Sequence, residues 1–145
     1  METELDSRII EFIHNHHVLT LASCARNQPY CCNCYYAFDE NENYFVVKIN
    51  EGTRHGQEIN QNSAIAGTIV LETDEVGKIQ GLQFTGKGIY YTGKDLENAK
   101  TTYLKKYPFS LAVPGEYLIL VPNFYKFTDN RFGIGKKLTW NKINK

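Results

Sequence analysis

Short apolar runs of strand length, each closed by turn-forming residues, constrain this chain more than any other feature. Such runs fall at 18–24, 30–38, 44–49, 64–71, 79–92, 117–121 and 124–128. Arg26-Asn27-Gln28-Pro29 and Asp39-Glu40-Asn41-Glu42-Asn43 supply two of the turns. Six or seven short strands, mostly joined as hairpins, favour a closed barrel or a sandwich, where each strand buries one face. Gly81, Gly86 and Gly88 fall inside the fifth run, where glycine permits the bulges or bends that coil a small barrel. Helical spacing is confined to three segments. Leu5, Ile9, Phe12 and Ile13 predict a helix over 6–17, with Thr3 or Asp6 as its N-cap. Residues 57–62 read as a short helix, and 95–106 as another, capped by Asp95 and stopped before Pro108. The chain is thus mainly β with short helices.

Its 145 residues suit one compact domain, 1–145, with no repeat or linker. Sixteen basic and sixteen acidic residues cancel, which argues against a nucleic-acid binder. The charge is uneven, however. From residue 124 onward Lys126, Arg131, Lys136, Lys137, Lys142 and Lys145 face a single acid, Asp129. That run either meets an anionic ligand or is a solvated end. No apolar segment approaches transmembrane length, and the acidic N-terminus lacks the form of a signal peptide. The protein is therefore read as cytoplasmic, with no membrane partner. Cys24, Cys31, Cys32 and Cys34 fall within eleven residues but match no common zinc spacing. Cys32 and Cys34 should share one strand face and Cys31 the other. They are expected to be reduced, metal-free and packed as small hydrophobes. His14, His16 and His17 lie near the end of the first helix, where imidazolium suits the dipole without any ligand role.

Chemistry concentrates in three places. Thr53-Arg54-His55-Gly56 lies where the third strand hands over to a helix N-terminus. The first turn of a helix offers unpaired N–H groups and a positive dipole end, which attract phosphate. Arg54 adds a fork that matches phosphate oxygens, and Thr53 can cap the helix and donate its hydroxyl. The alternative is an ordinary cap with solvated neighbours. The second place is the strand Cys32-Asn33-Cys34-Tyr35-Tyr36-Ala37, beside the strand that ends in Lys48-Ile49. It is either a core strand or an edge along which a flat aromatic ligand lies. The third is the basic C-terminal run, which carries Trp140, the chain's one tryptophan. No P-loop, dinucleotide-binding glycine motif, nucleophile elbow or H-E-x-x-H is present.

At these residues the chain resembles the YhbP family of the FMN-binding split-barrel, pyridoxamine 5'-phosphate oxidase-like superfamily. The resemblance rests on Pro29-Tyr30-Cys31 with Asn33, Thr53-Arg54-His55, Ala66-Gly67-Thr68, and Ile79-Gln80-Gly81-Leu82-Gln83-Phe84 with Gly86. It continues through Tyr107-Pro108, Lys126-Phe127-Thr128-Asp129-Asn130 and Gly133-Ile134-Gly135-Lys136-Lys137-Leu138 with Trp140, and so spans about 18–140. It implies a six-stranded Greek-key split barrel and a homodimer with FMN at the subunit interface. It further implies phosphate contacts from Thr53, Arg54 and His55, and flavin contacts from Cys32, Asn33, Cys34, Tyr35 and Tyr36. Lys48 and Ile49 on the third strand and Trp140 complete the implied set, with Gln83 on the fifth strand, where Gln80 or Gly81 could take its place. The second strand lacks the basic residues of true pyridoxamine phosphate oxidases, so the resemblance points to the flavin more than to vitamin B6 oxidation. The implied function is a flavin-dependent oxidoreductase using a small-molecule substrate or electron donor. The alternative is a non-catalytic flavin- or haem-binding carrier or sensor. Tyr35, Tyr36 and Trp140 are the expected aromatic contributors to the dimer contact.

Overall fold

The structure, a computed structural model, describes residues 4–50 and 52–142. Thr3 and Lys145 lie outside them. The chain runs through α1 (Ser7–His14), β1 (Val18–Ala25), β2 (Gln28–Asp39), β3 (Tyr44–Ile49) and α2 (Arg54–Gln61). It continues through β4 (Ala64–Val70), β5 (Gln80–Ile89), α3 (Gly93–Lys106), β6 (Glu116–Asp129) and β7 (Lys137–Asn141). The strands form one antiparallel sheet in the order β3-β2-β1-β4-β5-β6-β7. A further pairing of β3 with β6, from Phe45↔Leu120 to Ile49↔Glu116, closes the first six strands into a barrel. β7 extends β6 as an extra strand outside that ring. The mainly β, six-stranded barrel expected from the sequence is the fold observed.

Local chemistry explains the turns. Arg26 and Asn27 both take positive φ, 52° and 62°, and join the paired residues Ala25 and Gln28. Two left-handed residues match the twist of the flanking strands and set the β1–β2 register. The register of β5 on β6 shifts between Thr85 and Gly86, so the bulge expected from the glycines sits at Gly86.

Four elements differ from the sequence reading. Runs 117–121 and 124–128 are one strand, β6, because the irregularity opposite Gly86 absorbs Pro122, which has no N–H to give a ladder. The C-terminal basic run is not a tail: Lys137–Asn141 pairs with Phe124–Thr128. α1 ends at His14, with Asp6 as its N-cap, so His16 and His17 lie beyond it. In α3 the cap position is Thr92, and Asp95 falls in the first turn.

Two cores hold the fold. The barrel interior contains Leu19, Leu21, Tyr36, Phe45, Phe84 and Tyr125, with Phe45 and Phe84 stacked at 4.8 Å. Gly67 makes room for that stack, since a Cβ there would strike the Phe84 ring. The second core lies outside the barrel, where Tyr44, Val46, Tyr117 and Ile119 pack against Ala99 and Tyr103 of α3. α3 therefore covers the outer faces of β3 and β6. On β4 and β5, Thr68, Val70, Gln83, Thr85, Lys87 and Ile89 remain exposed. Among the described residues no helix is long and apolar enough to cross a membrane.

Candidate functional site

β3 ends at Ile49 and the chain turns into α2 at Thr53. Thr53 holds an extended conformation, φ −76° and ψ 161°, and its Oγ1 accepts from Gly56 N at 3.4 Å. The same hydroxyl donates to the Asn50 carbonyl at 2.6 Å. The first α-helical bond runs from Gln57 N to Thr53 O, so the N–H groups of Arg54 and His55 precede the helical ladder. His55 Nε2 stands 3.2 Å from Thr53 Oγ1. Burial lowers the His55 pKa, against the opposing field of Glu58, and so favours the neutral imidazole.

Arg54 is the most constrained of the three. Its Nε donates to Glu58 Oε1 at 2.8 Å, and its guanidinium lies 4.3 Å from the centre of the Tyr30 ring. Its terminal Nη groups have no partner among the described residues. Glu58 is in turn anchored, since Oε2 accepts from Ser23 Oγ at 2.7 Å and both residues are buried. Hydrogen bonds from Arg54, then from Ser23, hold the Glu58 carboxyl below its usual range. Ser23 and Glu58 were not singled out from the sequence. The Arg54–Glu58 spacing of four residues was a legible signal for the ion pair, whereas the contact with Ser23 depends on how α2 docks on β1.

A second set assembles on the outer face of the sheet. Register aligns Asn33, Thr20, Thr68 and Gln83 in one row across β2, β1, β4 and β5. Thr20 Oγ1 donates to Asn33 Oδ1 at 3.0 Å. Gly81 shares the outer face with Gln83, whereas Gln80 has the inward parity of Leu82 and Phe84 and pairs with Asp129. Tyr35 is also outward and 63% exposed.

Other residues marked by the sequence go elsewhere. Tyr36 is fully buried and its hydroxyl donates to the Ile13 carbonyl at 2.6 Å. Trp140 is buried too, its ring 5.4 Å from that of Tyr125. Of the three aromatics expected at an exposed contact, only Tyr35 presents its ring to solvent. Strand parity is the reason for Tyr36, and the unforeseen strand β7 is the reason for Trp140. Ile49 points into the barrel. Lys48 lies on the opposite face, where Nζ donates to the carbonyls of Ser110 (2.7 Å) and Val113 and sits 5.2 Å from the Tyr117 ring. Cys34 is buried, Cys32 half-buried, and their Sγ atoms are 3.7 Å apart. All four cysteines are free, and among the described residues no cluster of three or more His, Cys, Asp and Glu could hold a metal. The C-terminal run is tied into its own turn. The Arg131 guanidinium donates twice to the Asp129 carboxylate, at 3.0 and 2.8 Å, its backbone N–H donates a third time at 3.1 Å, and Asn130 bridges the Val76 carbonyl and Gly135 N.

No family model matches the chain. A UPF0306 protein of Photorhabdus laumondii is 34% identical to it over 140 residues, 97% of this chain and 98% of that relative. The chain belongs to the UPF0306 family. A second UPF0306 member, YhbP of Salmonella arizonae, is 31% identical over 132 residues, 91% of this chain and 90% of its own length. Solved structures place the UPF0306 fold among split barrels. A haem-binding protein from Mycobacterium smegmatis superposes with TM-score 0.74 at 14% identity, over 90% of this chain and 55% of that chain. An FAD-binding protein from Mesorhizobium loti gives 0.66 at 11%, over 99% and 98% of the two chains. The haem storage protein HutZ of Vibrio cholerae gives 0.65 at 12%, over 97% and 96%. At such identities these likenesses carry the fold of the UPF0306 chain and no residue-level role.

Proposed function

We propose that the chain binds FMN between two copies of itself and works as a flavin-dependent oxidoreductase on a small molecule. The observation that carries this reading is Arg54. Its guanidinium is held by Glu58 and Tyr30 at a helix N-terminus, and among the described residues neither its Nη groups nor the N–H groups of Arg54 and His55 have a partner. That donor set suits a dianionic phosphate. Thr53, Arg54 and His55 would hold the phosphate, and the row through Asn33 and Gln83 would meet the ring. Two of the three Lys48 N–H donors already meet the carbonyls of Ser110 and Val113, so its ammonium has at most one left for a ligand. FMN would supply the redox chemistry, and the chain would supply binding, orientation and exclusion of water. The fold shared with an FAD-binding protein supports a flavin.

A second reading, a flavin- or haem-binding carrier without turnover, draws on a specific observation. Glu58, the carboxylate of the site, is committed to Arg54 and Ser23, and the His55 ring nitrogen is engaged with the Thr53 hydroxyl. That leaves no obvious acid–base pair for a substrate. Two of the fold relatives are haem proteins by name. Titration with FMN, riboflavin and haem, followed by absorbance and by fluorescence quenching, tests ligand choice. Anaerobic addition of NADH or NADPH to the flavin-loaded protein then tests turnover. Tight FMN binding with flavin bleaching supports the oxidoreductase, and binding without bleaching by either donor supports the carrier. Absence of FMN binding overturns both flavin readings.

A further inference from the structure

Cys32 and Cys34 stand two residues apart on β2, so strand geometry turns both side chains to the inner face. Their Sγ atoms are 3.7 Å apart. The Cα atoms of such a pair lie about 6.4–6.8 Å apart in a regular strand. That is the upper end of the span a disulfide bridges, about 4.4–6.8 Å. The two environments differ. Cys34 is buried in the barrel core, and Cys32 packs against that core half-buried at its margin. Cys31 and Cys24 have the opposite strand parity and face outward, so neither competes for the contact.

We infer that Cys32 and Cys34 form a peroxide-oxidisable dithiol, with Cys32 as the attacking thiol and Cys34 as the resolving one. The assignment follows from access and from the hydrogen bond. The Cys34 S–H contact stabilises a Cys32 thiolate and lowers the Cys32 pKa, against burial. The same contact, and then burial, raise the Cys34 pKa, so Cys34 keeps its proton. In the first step the Cys32 sulfur attacks a peroxide oxygen. The O–O bond breaks, and the departing hydroxide takes a proton to leave as water. In the second step Cys34 Sγ attacks Cys32 Sγ of the resulting sulfenic acid. The S–S bond forms, the S–O bond breaks, and hydroxide leaves with the Cys34 proton as a second water. Two thiols lose two hydrogens and two electrons, and one peroxide becomes two waters. Because the strand spacing sits at the limit of the disulfide range, a thiol reductant should reopen the bond readily. Closure draws the backbone together on either side of Asn33, the outward residue bonded to Thr20.

The test uses the full chain, reduced and flavin-free, with stoichiometric hydrogen peroxide. Intact mass should fall by two hydrogens, tandem mass spectrometry should place the bond between Cys32 and Cys34, and dithiothreitol should restore the starting mass. N-ethylmaleimide at pH 7 should label Cys32 at least about tenfold faster than Cys34. In Cys34→Ser the first step should stop at a sulfenic acid that dimedone traps on Cys32. The double variant Cys24→Ser/Cys31→Ser should oxidise as the wild type does, and it carries the test if Cys34→Ser does not fold. A bond that maps to Cys24 or Cys31 overturns the proposal. So does a double variant that keeps its hydrogens, or thiols that pass only to sulfinic or sulfonic acid.

Discussion

Arg54 Nε donates to Glu58 Oε1 at 2.8 Å, across one turn of α2. The pair is lopsided: the Arg54 side chain is 51% exposed and that of Glu58 only 11%. A half-exposed ion pair of this kind adds little stability by itself. Its consequence is orientational. Glu58 is pinned by Ser23, Arg54 is pinned by Glu58, and the guanidinium rests over the Tyr30 ring. A side chain with long rotamer freedom is thereby presented in one pose before any ligand arrives, which lowers the ordering cost of binding.

Arg54→Ala should weaken FMN binding far more than riboflavin binding, since riboflavin lacks the phosphate. Loss of a charge-assisted contact of this kind costs about 1.5–3 kcal/mol, or roughly ten- to a hundredfold in affinity. Thr53→Ala should show a smaller loss in the same direction. Fluorescence-quenching titrations with both ligands measure the difference. Equal losses for FMN and riboflavin would mean that the substitution disturbs the fold and not a phosphate contact.

Glu58 also sets a pH dependence. Its folded pKa lies below the usual 4.5 because Arg54 and then Ser23 donate to the ionised carboxylate. A depressed carboxyl contributes stability that is fully present above its unfolded pKa and is lost as pH falls through the folded value. Glu58→Gln cannot ionise, so it should flatten part of the acid-side fall in stability. Asp6 and Asp129, lowered likewise by their arginine partners, should leave a residual slope. Urea midpoints of wild type and variant from neutral pH down to about pH 3 follow the effect. Identical slopes would remove Glu58 from the account.

Much of this fold was legible because strand periodicity and turn chemistry are local. Arg26-Asn27 reads as a turn from its own preferences, and Thr53 as a cap from its place before a polar helix. Parity was partly legible: it placed Cys32 and Cys34 on one face, but it does not say which face is the core. Tyr36 therefore turned out to be buried and Tyr35 exposed. What failed were long-range facts. Lys137–Asn141 has a basic, tail-like composition and becomes a strand only because β6 offers it a paired edge. Ser23 meets Glu58 only through the docking of α2 on β1, and Lys48 donates to carbonyls 62 and 65 residues away. No local pattern encodes such pairs.

Gly86 should be the least replaceable glycine of β5. A Cβ there would run into the Val121 carbonyl and lie 2.9 Å from Pro122 Cα, both backbone groups held by sheet pairing. The Gly81 Cβ would meet nothing nearer than 3.9 Å. Gly86→Ala should therefore destabilise the protein by about 1–3 kcal/mol, as overpacking does. Gly81→Ala should stay within about 1 kcal/mol of wild type. Chemical denaturation of the two variants compares them directly, and equal stabilities would contradict the bulge argument.

The outer face of β2-β1-β4-β5 should be where two copies meet. Its rows carry small side chains, with Ala22 beside Ala66 and Thr20 beside Thr68, so a second sheet can approach closely. Tyr35 and Val70, 63% and 65% exposed, add apolar area at its margins. Exposed apolar surface on a closed barrel costs free energy that a partner removes. Ala66→Lys places a flexible charge in the middle of this face without touching the barrel interior, because Ala66 points outward between inward Ile65 and Gly67. Light scattering at micromolar concentration should give a dimer for the wild type and a monomer for Ala66→Lys, with the same circular dichroism for both. FMN affinity should fall with the dimer if the flavin lies between copies, while the thermal midpoint measured at low concentration stays close to wild type. A wild-type monomer at that concentration ends the dimer reading. A dimer that survives Ala66→Lys moves the contact to another face, with the exposed Phe109, Leu111 and Val113 as the next surface to substitute.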